Sequence, residues 1–149
     1  MSDDIKVGGF GACLTEDENY DYYLFKVTEK ATKVKKDADL EVGDGSKVNV
    51  CEGDWICRGI WMDKLRGAKN WWTMTEQHCI VRLKEVVHAN LPLLVKSQTN
   101  PLPKRLQRAT TAQARKHGAW KVSNDDHAFM MAEANVREGY GYDSNNNNN

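Results

Sequence analysis

Residues 51–87 read CEGDWICRGIWMDKLRGAKNWWTMTEQHCIVRLKEVV, and this stretch decides the fold class. It carries four of the five tryptophans and three of the four cysteines of the chain. Apolar and polar residues alternate with the two-residue period of a strand, and Gly53, Gly59 and Gly67 interrupt the alternation. Asp54–Met62 reads as a strand with Trp55, Cys57, Gly59 and Trp61 on one face and Ile56, Arg58, Ile60 and Met62 on the other. Leu65–Lys69 is a loop around Gly67. Asn70–Met74 reads as the next strand and Gln77–Val87 as the longest. In that last strand Cys79, Val81, Leu83 and Val87 share a face, and Ile80 is an apolar exception among His78, Arg82 and Lys84.

Upstream, Tyr22–Thr28 (YYLFKVT) is dense in aromatic and branched residues, which suit a pleated, half-buried surface. Thr32–Lys36 is expected to pair with it. Glu41–Ser46 (EVGDGS) has the Asp-Gly chemistry of a tight turn, and Ser46–Cys51 alternates again. Short strands at this spacing, joined by glycine-containing turns, favour a barrel or bent sheet over a βαβ fold. The run Val48-x-Val50-x-x-Gly53-Asp54-Trp55 resembles the first strands of SH3-like barrels of the tudor and related chromatin-associated types. That resemblance covers about 40 residues and implies a fold only, because a shared fold does not transfer function.

Downstream of Val87 the chain changes character. Asn90-Leu91-Pro92 and Asn100-Pro101-Leu102-Pro103 break it. Lys104–His117 is rich in Ala, Arg, Gln and Lys and reads as a helix stopped by Gly118. Ser123 is placed to cap a second helix whose first turn holds Asp125 and Asp126, running to about Glu138 and stopping at Gly139. The expected fold is therefore α+β: a small, mainly antiparallel β-barrel or bent sheet, SH3-like or OB-like in size, followed by two C-terminal helices. The expected organisation is a flexible acidic arm over 1–19, with an ordered piece near Phe10–Leu14, and one globular domain over 20–143. Within that domain the barrel spans 20–87 and the helical part 100–139, and the Asn-rich tail 144–149 is expected to be disordered.

The formal net charge of zero hides opposed blocks. Residues 1–44 hold six Lys/Arg against eleven Asp/Glu, whereas residues 86–124 hold seven bases and no acid. Single-sign segments of this kind often serve an interaction. The basic residues of that segment, Lys104, Arg105, Arg108, Arg115, Lys116 and Lys121 with Lys96, can track a phosphate backbone if they form a stripe. The aromatic candidates are Trp55, Trp61, Trp71 and Trp72. Adjacent strand residues point to opposite faces, so one of Trp71 and Trp72, or the Trp55/Trp61 face, is expected to be partly exposed unless the C-terminal helix covers the wet face.

The first residues, MSDDIKVGGF, do not read as a targeting segment, and the cysteines read as reduced thiols, so an intracellular, cytoplasmic or nuclear location is expected. Cys51, Cys57, His78 and Cys79 supply four possible zinc donors, but the C-x2–4-C spacing of a zinc site is missing. Cysteine and histidine can also be paired for nucleophilic catalysis, yet no elbow or glycine-rich oxyanion loop singles out a pair. No catalytic residue, metal ligand or cofactor is therefore assigned. The function expected is a non-enzymatic binding module associated with nucleic acid, using the basic helix and exposed aromatics. The alternatives are a protein-interaction or self-assembly subunit with complementary charge blocks, meeting an acidic protein surface or another copy, and a small Cys/His-dependent enzyme.

Overall fold

The computed structural model describes residues 5–14, 21–43, 45–98, 101–104 and 108–146; for 108–110 and 137–146 only the backbone is described. Its strands are β1 (Phe10–Leu14), β2 (Tyr22–Val27), β3 (Thr32–Lys33), β4 (Ala38–Glu41), β5 (Lys47–Val50), β6 (Trp55–Lys64), β7 (Trp71–Arg82), β8 (Val86–His88), β9 (Leu93–Val95) and β10 (Ala119–Val122). Its helices are α1 (Arg108–His117) and α2 (Asn124–Asn146). The main sheet runs β8-β1-β2-β6-β7-β10-β9, with β3 added on β6, and every pairing is antiparallel. The sheet curls into a half-barrel, and the two helices make the fold α+β.

The hairpin β6–β7 is its spine. Asn70–Met74 and Gln77–Val87 are not two strands: one strand runs unbroken from Trp71 to Arg82. A 3-10 turn at Leu83–Glu85 then ends the strand and leads into β8. At the other end of the hairpin the loop turns at Gly67 (φ 83°) and Asn70 (φ 68°), both left-handed conformations. A bulge between Ile60 and Met62 shifts the register and bends the strand pair.

Several expected boundaries move. Phe10–Leu14, the ordered piece expected within the arm, is a strand of the main sheet held between β2 and β8. Thr32–Lys33 pairs with β6 rather than with β2. Val48 and Val50 belong to a separate two-stranded sheet, β4–β5, so the run that resembled the start of an SH3-like barrel straddles two sheets. The sheet does not end at Val87. The proline-punctuated crossover supplies β8 and β9, and the short link between the helices supplies β10. Helix α1 begins at Arg108, and α2 continues through Gly139 and Gly141 to Asn146, which takes 144–146 of the expected tail into a helix.

Both faces of the sheet are covered. On one face Trp72 packs with Ala12, Tyr22, Leu24, Met62, Val122 and Met130 of α2. On the other, Phe25, Val27, Val81 and Leu83 pack with the three thiols of Cys13, Cys57 and Cys79. At the start of β7 this second face carries Trp71, which packs with Leu65, Ala119 and Ala114 of α1. The β4–β5 hairpin packs Val42 and Val50 on Ile56 and Ile80. Ile80 thus breaks the polar set because a second small sheet buries it.

Caps and turns follow the residue chemistry. The Asp126 amide donates to Ser123 Oγ (3.1 Å), and the Ser123 hydroxyl donates to the Asp126 carboxylate (3.0 Å), a reciprocal N-cap. Gly118 closes α1 at φ 92°, its amide donating to the Ala114 carbonyl. Asp54 accepts from the Cys51 amide (3.0 Å) and fixes the turn before β6. Among the described residues, no helix is long and apolar enough to cross a membrane.

Candidate functional site

The two ends of the β6–β7 hairpin differ in what surrounds them. Trp55 sits at the first residue of β6, opposite Lys33, and is 38% exposed. The loop between the strands lies at the other end, some nine residues along β6, or roughly 30 Å at the rise of a strand. Helix α1 packs at that loop end, because Ala114 seats against Leu65 and Trp71. Trp55 and the basic helix therefore do not form one site.

The remaining tryptophans are placed differently from one another. Trp71 lies beside α1 but is buried beneath it, and Trp72 is buried beneath α2. Trp61 is half-buried against the thiol cluster, beside Tyr23 (ring centroids 5.2 Å apart) and Phe25 (6.2 Å). Of the basic residues, Lys104, Arg115 and Lys116 are exposed, and Lys121 is half-buried on β10 opposite Trp71. Arg108 lies in α1 with only its backbone described, and Arg105 lies outside the described residues.

Three bases that the sequence reading passed over join this end. Lys64 closes β6, and Arg66 and Lys69 lie in the loop that holds Leu65 against α1. The spacing Lys64-x-Arg66-x-x-Lys69 around Gly67 is their signal. The Lys64 ammonium lies 5.9 Å from the Trp72 ring, and Lys64 and Lys69 both help hold the His127 imidazole below its ordinary pKa, after burial, which is the larger cause. Lys96 is tied to the same end, its amide donating to the Ala119 carbonyl (3.1 Å).

A polar network also fastens the start of α2 to the sheet. The Tyr22 hydroxyl and His127 Nδ1 are 2.7 Å apart, and His88 Nε2 lies 3.5 Å from the Asp126 carboxylate. Ser, Asp and His occur together here, but the Ser123 hydroxyl is bonded to Asp126 and no histidine accepts its proton. A nucleophilic triad needs the base on the hydroxyl, so this network is a fastening.

The thiols are placed for packing. Cys13, Cys57 and Cys79 are buried together, whereas Cys51 and His78 are exposed, so the four candidate zinc donors do not share a site. Among the described residues, no group of three or more His, Cys, Asp or Glu is placed to hold a metal. Burial pushes the Cys57 thiol up to about 11. Burial, with Glu85 and Cys57 adding to it, pushes the Cys13 thiol up to about 12. Cys79 is raised as well, chiefly by burial. None is poised as a thiolate nucleophile.

No family model matches this chain, and no curated protein or solved structure is significantly similar to it.

Proposed function

We propose that this protein is a non-enzymatic binding module that holds a nucleic-acid backbone at the loop end of its curled sheet. The observation that carries the reading is the seating of Ala114 against Leu65 and Trp71. It brings α1, the helix of Arg115 and Lys116, to the loop of Arg66 and Lys69, with Lys64 at the end of β6 and Lys121 on β10. A cluster of this sign and density suits phosphate contacts, which release counterions and make affinity fall steeply with salt. The burial of Trp71 and Trp72 removes them as stacking platforms, so binding rests on charge and favours no base sequence. A nucleic-acid ligand also implies an intracellular location.

The test is fluorescence anisotropy with labelled single- and double-stranded oligonucleotides across a salt series. Four to six phosphate contacts predict a slope of log K on log salt of about −3 to −5. Replacing Arg115 and Lys116 together by Ala should reduce that slope by about 2. Affinity weaker than about 1 mM at low salt, or a flat salt response, overturns the reading.

A second reading, a self-assembly or protein-interaction subunit, is favoured by one observation. Strand β9 is the last in the sheet order and exposes Leu94 (46%) and Val95 (57%). An open apolar edge is a template for another strand. Light scattering over a concentration series, with Leu94→Lys as the control, separates the two readings.

A further inference from the structure

The sheet face that carries the thiol cluster contains a cavity of about 280 Å³, lined by Tyr23, Trp61, Met62, Asp63, Thr75 and Gln77. It lies between the buried thiol cluster and the Trp71 cluster, at the place where the β6–β7 register shifts. Between Ile60 and Met62 one residue of β6, Trp61, faces three of β7, residues 75–77, and Trp61 lies beside Tyr23 with a 42° tilt, so that two aromatic rings form an open corner. Thr75 Oγ1 donates to the Trp61 carbonyl (2.6 Å) and accepts from the Gln77 amide (3.1 Å), which fixes the bulged backbone of β7 and leaves one lone pair of the threonine oxygen.

The charge of the lining decides what can enter. Among the described residues that line it, Asp63 carries the one formal charge. An anion placed here would meet a carboxylate and the negative faces of two rings. A cation would meet attraction from both. The volume lies just below the usual range for drug-sized ligands and suits a head group of a few heavy atoms.

We propose that this cavity is a binding site for an organic ammonium head group. The cation lies against the Trp61–Tyr23 corner, Asp63 supplies the counter-charge, and Thr75 or Gln77 accepts a hydrogen bond from a polar substituent. The site has the opposite sign to the basic loop end, and it neither requires nor excludes binding there.

The probe is choline, with 3,3-dimethyl-1-butanol as the control of the same shape and no charge. The full chain is labelled with 15N, and its five tryptophan indole signals are followed through each titration. Choline should shift the Trp61 indole signal with a Kd of about 1–10 mM, and the alcohol should bind about tenfold more weakly or not at all. Asp63→Asn should weaken choline several-fold while leaving the other four indole signals in place. Trp61→Leu should abolish the response of the Tyr23 ring protons. Equal binding of choline and the alcohol makes the cavity merely apolar and overturns the proposal. So does the absence of any Trp61 shift at about 50 mM choline, well above the range a cation–π site of this kind should need. If Asp63→Asn disturbs the whole spectrum, Gln77→Glu gives the decision: a second carboxylate at the rim must tighten choline, and unchanged or weaker binding counts against the site.

Discussion

Trp71 and Trp72 are neighbours in the chain and both are buried, 5% and 1% exposed, each beneath a different helix. Strand geometry sends their rings to opposite faces, and the two C-terminal helices close those faces separately. Each ring therefore reports on one helix.

Replacing either ring by Ala is expected to cost about 3–5 kcal/mol in urea unfolding, the usual loss for a large buried aromatic. The two losses should appear in different places. Hydrogen exchange in Trp72→Ala should speed up first in α2, and in Trp71→Ala first in α1. The reverse pattern would contradict the packing.

Gly53 and Gly118 share a φ of 92° but not their surroundings. A Cβ at Gly53 meets nothing within 4 Å, whereas one at Gly118 lies 2.5 Å from Trp120 Cη2. Gly53→Ala should cost only the left-handed strain, about 1 kcal/mol. Gly118→Ala should cost about 1–3 kcal/mol more, because the Trp120 ring must leave its place. Thermal denaturation of the two variants side by side checks the difference.

The thiols should divide by burial. Cys51 is exposed, and Cys13, Cys57 and Cys79 are buried. A colorimetric thiol reagent at pH 8 should modify Cys51 quickly in the native protein and the other three only on unfolding, because a buried, protonated thiol is a poor nucleophile. Cys51→Ser should remove the fast phase altogether.

His127 gives the fold a pH dependence. Burial, Lys69 and Lys64 lower its pKa and Asp21 opposes them; Tyr22 shares its Nδ1 hydrogen bond. The folded state therefore binds fewer protons than the unfolded one below the ordinary histidine value of about 6.5. Stability is fully present above that pH and is lost as pH falls through the lowered folded value. His127→Asn should flatten this part of the stability profile, and an unchanged acid slope would show that other groups carry it.

How much of this could be read from the chain depended on whether a residue's surroundings were local. The strands of residues 22–28 and 54–62, the α1 stop at Gly118 and the Ser123 cap were legible, because alternation, turn residues and caps act over a few positions. Ile80 looked misplaced because its cover, the β4–β5 hairpin, comes from 30 to 40 residues upstream. Strand β10 has four residues between a helix stop and a helix start, too few to show a period. The bases Lys64, Arg66 and Lys69 sat inside a strand-rich stretch, and only the packing of Ala114 on Leu65 and Trp71 brings α1 to their loop.

The position of β10 bears on how the chain folds and where it can be cut. It comes after α1 in sequence, yet it pairs with Trp71–Thr73 of β7 and separates that strand from β9. The sheet cannot be completed until the chain has been made as far as Val122, so its closing contacts are long-range and its folding is slow for its size. A fragment ending at Val87 would hold the whole β6–β7 hairpin but leave the tryptophan end of β7 as a bare edge, with Trp71 and Trp72 both uncovered. Such a piece is an aggregation template rather than a minimal domain.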